Sequence, residues 1–282
     1  MLTAAFLYGL YGVYSRFIGE DFGSFFTIGA RATIMSILLA VYVFLSHKWK
    51  PIDRKDIKWF AAMILPGIVA IVSVFIAFNH LPVGTVYFTL YASSTFFGYL
   101  IGKLFFEERI NKIKLISLLA CLIGLLVIFR ETMGKGEMFY LLLVIVVGLG
   151  TAAWNIFSKK VTAKYSLTQV LTIDSLITVI VALPVAVILS EPVNLPSLTT
   201  LWLVVVVFAL TAVASSLLTI GGFKLIEAQK GSLIMLSEPV FGTLFGYLFL
   251  KETVSSLFAL GALLIMVGMT LPILSENKAT PS

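Results

Sequence analysis

Residues 231–252 read GSLIMLSEPVFGTLFGYLFLKE. The stretch is apolar over the roughly 20 residues that a bilayer-spanning helix needs, yet it carries Glu238 and Pro239. A carboxylate is expensive in hydrocarbon and turns toward a cavity or a partner. Pro239 has no N–H, so the carbonyl of Met235 loses its helical donor and the helix kinks or opens there. Gly242 and Gly246 follow at GxxxG spacing, which lets another helix approach closely. One span thus combines a charge, a break and a packing face. The expectation is a membrane transporter organised around it and its counterpart earlier in the chain.

The composition agrees. Of 282 residues, 60% are hydrophobic and only 12% charged, against about 25% charged in soluble domains. Lipid must cover part of so much apolar surface. Ten candidate spans fit, at about 2–18, 25–46, 58–79, 83–105, 113–130, 138–158, 168–189, 199–220, 231–250 and 256–274. Only short polar segments join them. With the N-terminus inside, fifteen Lys and Arg fall on internal connections and four on external ones, with Arg31 inside a span. That bias predicts cytoplasmic termini. The net charge of +6 then reflects topology and contact with anionic headgroups, with no nucleic-acid partner. The first residues show no basic n-region or cleavage site before Arg16, so no cleaved signal peptide is expected, and a start upstream of Met1 stays open. The lone Cys121 excludes an intrachain disulfide and a Cys-based zinc cluster. No metal or cofactor is expected.

The chain also repeats itself. Adding 144 takes Ser93 to Ser237, Gly98 to Gly242, Gly102 to Gly246, Phe105 to Phe249, Glu108 to Glu252 and Gly124 to Gly268. An offset of 143 takes Tyr14-Ser15-Arg16 to Phe157-Ser158-Lys159. Each half holds five spans, and five is odd, so the second half must enter the membrane in the opposite sense. The predicted fold is an all-α membrane protein of ten transmembrane helices in two inverted five-helix repeats, over residues 1–131 and 137–275, with a cytoplasmic tail at 276–282. Inverted repeats commonly place a transport site near the midplane.

These features resemble the drug/metabolite transporter superfamily, and most closely its EamA family. Ser237-Glu238-Pro239-Val240-Phe241 followed by Gly246-Tyr247-Leu248-Phe249-Leu250-Lys251-Glu252 is the most specific part. The first half matches more weakly over 102–108, with Thr95 where the second half has Pro239. The resemblance implies ten helices, cytoplasmic termini, export of small metabolites and alternating access. It also implies that the fifth and tenth spans lie at the periphery around eight cavity-forming ones.

Several residues are candidates for the path. Positions three and four apart share a helix face. One face of the fourth span carries Tyr87, Tyr91, Ser94, Gly98 and Gly102, and the matching face of the ninth carries Gly231, Met235, Glu238, Gly242 and Gly246. Both are small or polar, so both are turned inward. Gly98, Gly102, Gly242 and Gly246 are read as packing positions, with Pro239 as a hinge. On the sixth span Thr151, Asn155 and Ser158 form a polar stripe, mates of Tyr8, Gly12 and Ser15, with Trp154 and Tyr11 as equivalent aromatics. Thr211, Ser215 and Thr219 form a hydroxyl stripe on the eighth, where bonding to their own helix carbonyls is the plainer role. Arg31 and Asp174 are mates 143 apart. Tyr11, Arg31, Tyr91, Trp154, Asn155 and Glu238 are therefore the substrate-binding candidates. Asp174 and Glu238 are the proton-coupling candidates. Structural alternatives stand beside each: Arg31 in an ion pair with Glu238 or Asp174, and Glu238 bonded to backbone opened by Pro239.

The function that fits is a secondary transporter, an exporter of amino acids or related small metabolites at the plasma (inner) membrane. An enzyme would need paired nucleophile and base or metal ligands. Only His47 and His80 exist, both in predicted loops, and no HExxH or GxSxG occurs. No GxxxxGK[ST] loop supports ATP drive. A scaffold or receptor, and a sugar-phosphate or drug carrier, are the alternatives. Ala120 and Gly124 offer a homodimer face on the fifth span. Reporters fused to the C-terminus should behave as cytoplasmic: a fluorescent protein should glow and a periplasm-dependent phosphatase should stay inactive. The reverse pattern would overturn the charge-based orientation.

Overall fold

A computed structural model describes residues 1–19, 21–106, 111–132, 137–193, 200–225 and 234–279. Glu108, Gly231 and the last three residues of the tail lie outside these. The described chain is α1 (Leu2–Gly9), α2 (Tyr11–Ile18), α3 (Ser24–Leu45), a 3-10 turn (Arg54–Asp56), α4 (Ile57–His80), α5 (Val83–Phe106), α6 (Lys112–Thr132), α7 (Met138–Thr162), α8 (Leu167–Ile188), α9 (Thr200–Leu225), α10 (Ser237–Leu250) and α11 (Ser256–Ala279). Local chemistry sets several ends. Ser166, Asn111 and Ser255 accept N–H bonds from Gln169, Lys114 and Phe258 at the starts of α8, α6 and α11. Leu81, extended before Pro82, closes α4.

Among the described residues, seven helices are long and apolar enough to cross a membrane: α3, α4, α6, α7, α8, α9 and α11. α5 carries Thr85, Thr89, Ser93, Ser94 and Thr95, which lower its hydropathy. The first and ninth candidate spans are interrupted. α1 stops at Leu10, whose N–H bonds to the Leu7 carbonyl three residues back (3.3 Å). α10 follows a turn at Leu236, with helical residues at 234 and 235 before it. Outward surfaces are apolar, with Leu45 and Val187 77% exposed and Ile188 78%. Only lipid makes such a surface comfortable.

Repeat mates pack on each other and run antiparallel. Along α6, Ser117 meets Gly268 whereas Gly124 meets Gly261 and Ile265 of α11. Along α5, Val83 meets Gly246, Tyr87 meets Gly242 and Tyr91 bonds to Glu238. α3 and α8 pair likewise, Gly29 seating Leu183. The remaining large contacts also swap when the halves are exchanged: α4 with α7 matches α1 and α2 with α9, and α5 with α7 matches α10 with α1. α6 packs chiefly on α11. The hydropathic window of α6 is 28% buried, against 56% for α4, so α6 sits at the edge and α4 inside.

α3 and α8 are tied at both ends. At one end the Glu191 carboxylate accepts the N–H groups of Phe25 and Phe26 (3.1 and 2.8 Å) at the start of α3. Beside it Gly23 N–H donates to the Pro192 carbonyl (3.1 Å), and Phe22 bridges to Val193. At the other end Lys50 N–H donates to Gln169 Oε1 (3.1 Å) and Gln169 Nε2 to the Lys50 carbonyl (2.6 Å). Ser166 Oγ reaches the Lys48 carbonyl (3.3 Å). Lys164 bonds to Asp53 and to Asp56 (2.6 Å), and these carboxylates hold its ammonium above the ordinary lysine range. The second tie uses the positions of the first shifted by 143: Glu191 is the mate of Lys48, and Gln169 of Phe26.

Two expectations are corrected here. Gly98 packs against no described residue: a Cβ there would meet none of them within 4 Å. It lies on the Tyr91 face of α5. Ala120 and Gly124 are not a free dimer face either. A Cβ on Gly124 would lie 2.6 Å from the Gly261 carbonyl oxygen, and Ala120 Cβ lies 3.0 Å from the Cβ position of Gly268, so α11 already covers that surface. Gly242 and Gly246 do pack, against Tyr87 and Val83. Gly102 is buried on α5.

Gly9 gives the sharpest packing test. A Cβ there would sit 2.8 Å from Phe241 Cβ and 3.0 Å from the backbone nitrogen of Gly242. Gly9→Val should destabilise the protein by about 1–3 kcal/mol. Gly98→Ala should be neutral or stabilising by up to about 1 kcal/mol, because alanine prefers the helix. Thermal unfolding of the purified proteins in detergent would rank the two.

Candidate functional site

The ninth span shows what Pro239 does. The Met235 carbonyl, lacking a donor at position 239, lies 3.4 Å from the Tyr91 hydroxyl. The same hydroxyl donates to Glu238 Oε2 at 2.7 Å. Tyr91 thus serves both the opened backbone and the carboxylate beside it. One helical turn earlier, Tyr87 is buried and donates to the Tyr8 carbonyl (2.6 Å), next to the interruption at Leu10. Two tyrosines four residues apart on α5 therefore reach the two broken spans. Gly9 and Gly242 let those spans meet: the breaks lie against each other and against α5.

A ladder of hydroxyls joins the first span to α9. Tyr8 pairs with Ser216, Tyr11 with Ser215 and Tyr14 with Thr211, each at 3.2 Å. Spaced by three, these tyrosines would fan around an ideal α-helix. The tight turn at Leu10 brings the local repeat nearer three residues, where i and i+3 eclipse. Tyr14 and Ser216 are not among the sequence candidates for the path. The signal that could find them is the Tyr8, Tyr11, Tyr14 spacing itself. Thr211 and Ser215 bond across helices, and Ser215 also bonds along its own to the Ala212 carbonyl.

The two intramembrane charges of the second and seventh spans are held by aromatic groups. The Arg31 guanidinium carbon lies 4.8 Å from the Phe208 ring centre and 5.8 Å from that of Tyr11. Its Nε is buried without a hydrogen bond. Asp174 Oδ1 accepts from Trp154 Nε1 at 3.4 Å. Arg31 with Tyr11 and Asp174 with Trp154 are one contact drawn twice, because both members of each pair are repeat mates. Among the described residues no ion pair joins Arg31 to Asp174 or to Glu238. The structural ion pair weighed for Arg31 is thus not formed.

Magnitudes make this arrangement informative. A charge at the centre of a membrane helix costs about 2.5–3.5 kcal/mol on insertion scales. A cation over an aromatic face returns about 0.5–2 kcal/mol, which leaves Arg31 short of compensation. Of the sequence candidates, the structure brings together Tyr91 with Glu238, Tyr11 with Arg31, and Trp154 with Asp174. Tyr11 has its hydroxyl engaged and its ring edge on Phe208 (4.8 Å), so its free contribution is the wall beside Arg31. Asn155 stands apart, exposed on α7 and without a side-chain hydrogen bond among the described residues.

An apolar recess lies elsewhere. About 380 Å³ of apolar space lies between α10, α11 and Phe88 of α5, on the outer surface of the bundle. Its lining of Val240, Leu244, Tyr247 and Phe258 suits acyl chains and holds none of the charged candidates. The groups that hold charge away from lipid define the candidate site instead. No cluster of three or more metal-ligating side chains occurs among the described residues.

Comparison with known proteins bears on this geometry. The model of the EamA-like transporter family matches twice, over residues 1–130 and 138–274. A permease-like protein of Bacillus subtilis (strain 168), YdzE, is 34% identical over 61 residues, which cover 22% of this chain and 78% of that protein. A solved crystal structure of a protein at 17% identity superposes with a TM-score of 0.67, covering 99% of this chain and 96% of the other. It speaks to the fold alone.

Tyr91→Phe would remove one hydroxyl from two acceptors. The expected cost is about 1–3 kcal/mol, because a carboxylate loses its donor in low dielectric. Tyr87→Phe should cost less, about 0.5–1.5 kcal/mol, since its acceptor is neutral. Thermal unfolding midpoints in detergent would check the order.

Proposed function

The chain belongs to the EamA-like transporter family, and from that premise we propose that it is a secondary transporter of amino acids or closely related small metabolites. It is an integral membrane protein and permease-like by its relatives. In this reading ten spans cross the membrane as two inverted five-helix units, at about 1–131 and 137–275, with both termini in the cytoplasm of a cell whose plasma membrane holds the protein. The antiparallel packing of repeat mates supports that arrangement. Transport is outward and proceeds by alternating access around a central site.

One observation carries the substrate class. Arg31 and Glu238 have opposite charge, yet each is held by tyrosine or phenylalanine and not by the other. Charges that could neutralise one another but are kept apart suit the two ends of a zwitterion. Arg31 would take the carboxylate and Glu238 the amine, with Tyr91 fixing Glu238 and with Trp154 and Tyr11 as walls. A lone guanidinium is a poor match for a phosphate dianion, which favours zwitterions over sugar phosphates. Asp174 and Glu238 are the groups available to exchange a proton. Pro239, Gly242 and Gly246 form the flexible and close-packed part of the path.

Counterflow into proteoliposomes with a panel of amino acids, aromatic cations and sugar phosphates would test this. Uptake of at least one amino acid is expected, and flux of none of them would overturn the reading. Glu238→Gln and Arg31→Ala should each cut that flux about tenfold or more, the scale of one hydrogen bond to a charged group. Unchanged flux at normal expression would remove the residue from the site.

A further inference from the structure

Glu252 stands just past the end of α10 and reaches across to the other half of the chain. Its two carboxylate oxygens accept the Val83 N–H at the start of α5 (3.1 and 2.9 Å). Arg16, in the last turn of α2, brings its Nη2 within 3.6 Å of the same carboxylate and donates from that nitrogen to the Leu81 carbonyl at the end of α4 (2.9 Å). The two side chains are 33% and 16% exposed, so water screens the pair incompletely. Two local features aim the carboxylate there. Lys251 takes a left-handed backbone (φ 56°), which is unfavourable for residues other than glycine. It turns Glu252 back, so that the Glu252 N–H bonds to the Gly246 carbonyl (3.2 Å). Gly246 has no Cβ, and the carboxylate occupies the space that one would need.

A seam runs inward from this contact. Val83, Tyr87 and Tyr91 face Gly246, Gly242 and Glu238 in successive turns of α5 and α10. The seam thus leads from the Glu252 surface to the candidate site. Val83 is fully buried, seated between Gly12 of its own half and Gly246 of the other. Parting the halves at this end breaks the contacts of Glu252 first, then uncovers Val83, Tyr87 and Glu238. Arg16 fits incompletely: its Nε is buried without a hydrogen bond, a cost that opening to water would relieve. We propose, on the alternating-access reading above, that Arg16 and Glu252 form a clasp between the two halves. It closes the α5–α10 seam at one surface and must release for the site to open there.

Val83→Cys in a Cys121→Ala background gives the full chain a single thiol on the seam. Its labelling by a water-soluble maleimide, on purified protein in detergent, reads opening without any substrate. The test can therefore fail while counterflow succeeds, and the reverse. Glu252→Gln keeps an oxygen for the Val83 N–H but drops the charge. It should raise the labelling rate about fivefold, the scale of one partly exposed charged contact. Arg16→Gln should do the same, and Arg16→Lys should label more slowly than Arg16→Gln. The two glutamine changes together should label no faster than either alone, because they break one link. Lys159→Gln, at the repeat mate of Arg16 near the far end of α7, should not raise the rate. Unchanged labelling in both single glutamine variants, additive rises in the double variant, or an equal rise with Lys159→Gln would each overturn the clasp. So would rates that simply follow lost thermal stability across the variants, since labelling would then report unfolding.

Discussion

Hydrocarbon supplies no hydrogen bonds, so every backbone group that leaves a helix inside the membrane must find a partner in the protein. The structure depends on that constraint at the two places where it is strained. Pro239 withholds a donor from the Met235 carbonyl, and the first span breaks at Leu10 without any proline. At Pro239 a tyrosine hydroxyl of α5 lies near the carbonyl left without its helical donor, and at Leu10 another donates to the Tyr8 carbonyl beside the break. The breaks are thereby packed on one shared helix and on each other. Glu238 sits at one of them, and its bond to Tyr91 is also what keeps its charge from facing lipid.

Much of this was legible in the residues. Helix limits follow hydropathy and caps closely, as at α4, α5 and α11. The family followed from the repeated glycines and the Ser237–Glu252 segment, and the peripheral place of α6 agrees with what that resemblance implied. The partnership of Tyr91 with Glu238 was half visible: both sat on inward faces, but nothing in spacing says that two faces meet at one hydroxyl. The interruption at Leu10 was invisible, because no proline or polar group marks it. It becomes visible only with the partner in place, where Gly9 is pressed against Phe241 and Gly242. Gly98 misled for the opposite reason. A glycine that packs and a glycine that leaves room look identical until the neighbouring helix is placed.

The charges teach a similar lesson. Sequence placed Arg31 and Asp174 at equivalent positions but could not choose between an ion pair and two separate environments. Duplication decides it in an instructive way. Each charge has beside it the aromatic residue at the equivalent place of its own repeat, Tyr11 or Trp154, and Arg31 also lies over Phe208 from the other half. Equivalent positions thus hold a similar contact in both halves while the charges are opposite in sign. Electrostatic asymmetry has thus been laid over a nearly symmetric scaffold.

The ties at both ends of α3 and α8 have a mechanical meaning. To part these helices at either end, the chain must give up several hydrogen bonds worth about 0.5–1.5 kcal/mol each between neutral groups and about 1.5–3 kcal/mol each for the two accepted by the Glu191 carboxylate. A pair fastened top and bottom works as an axle: it can swivel, but it resists splaying. Displacement is therefore cheaper in the helices hung around this axle than in the axle itself.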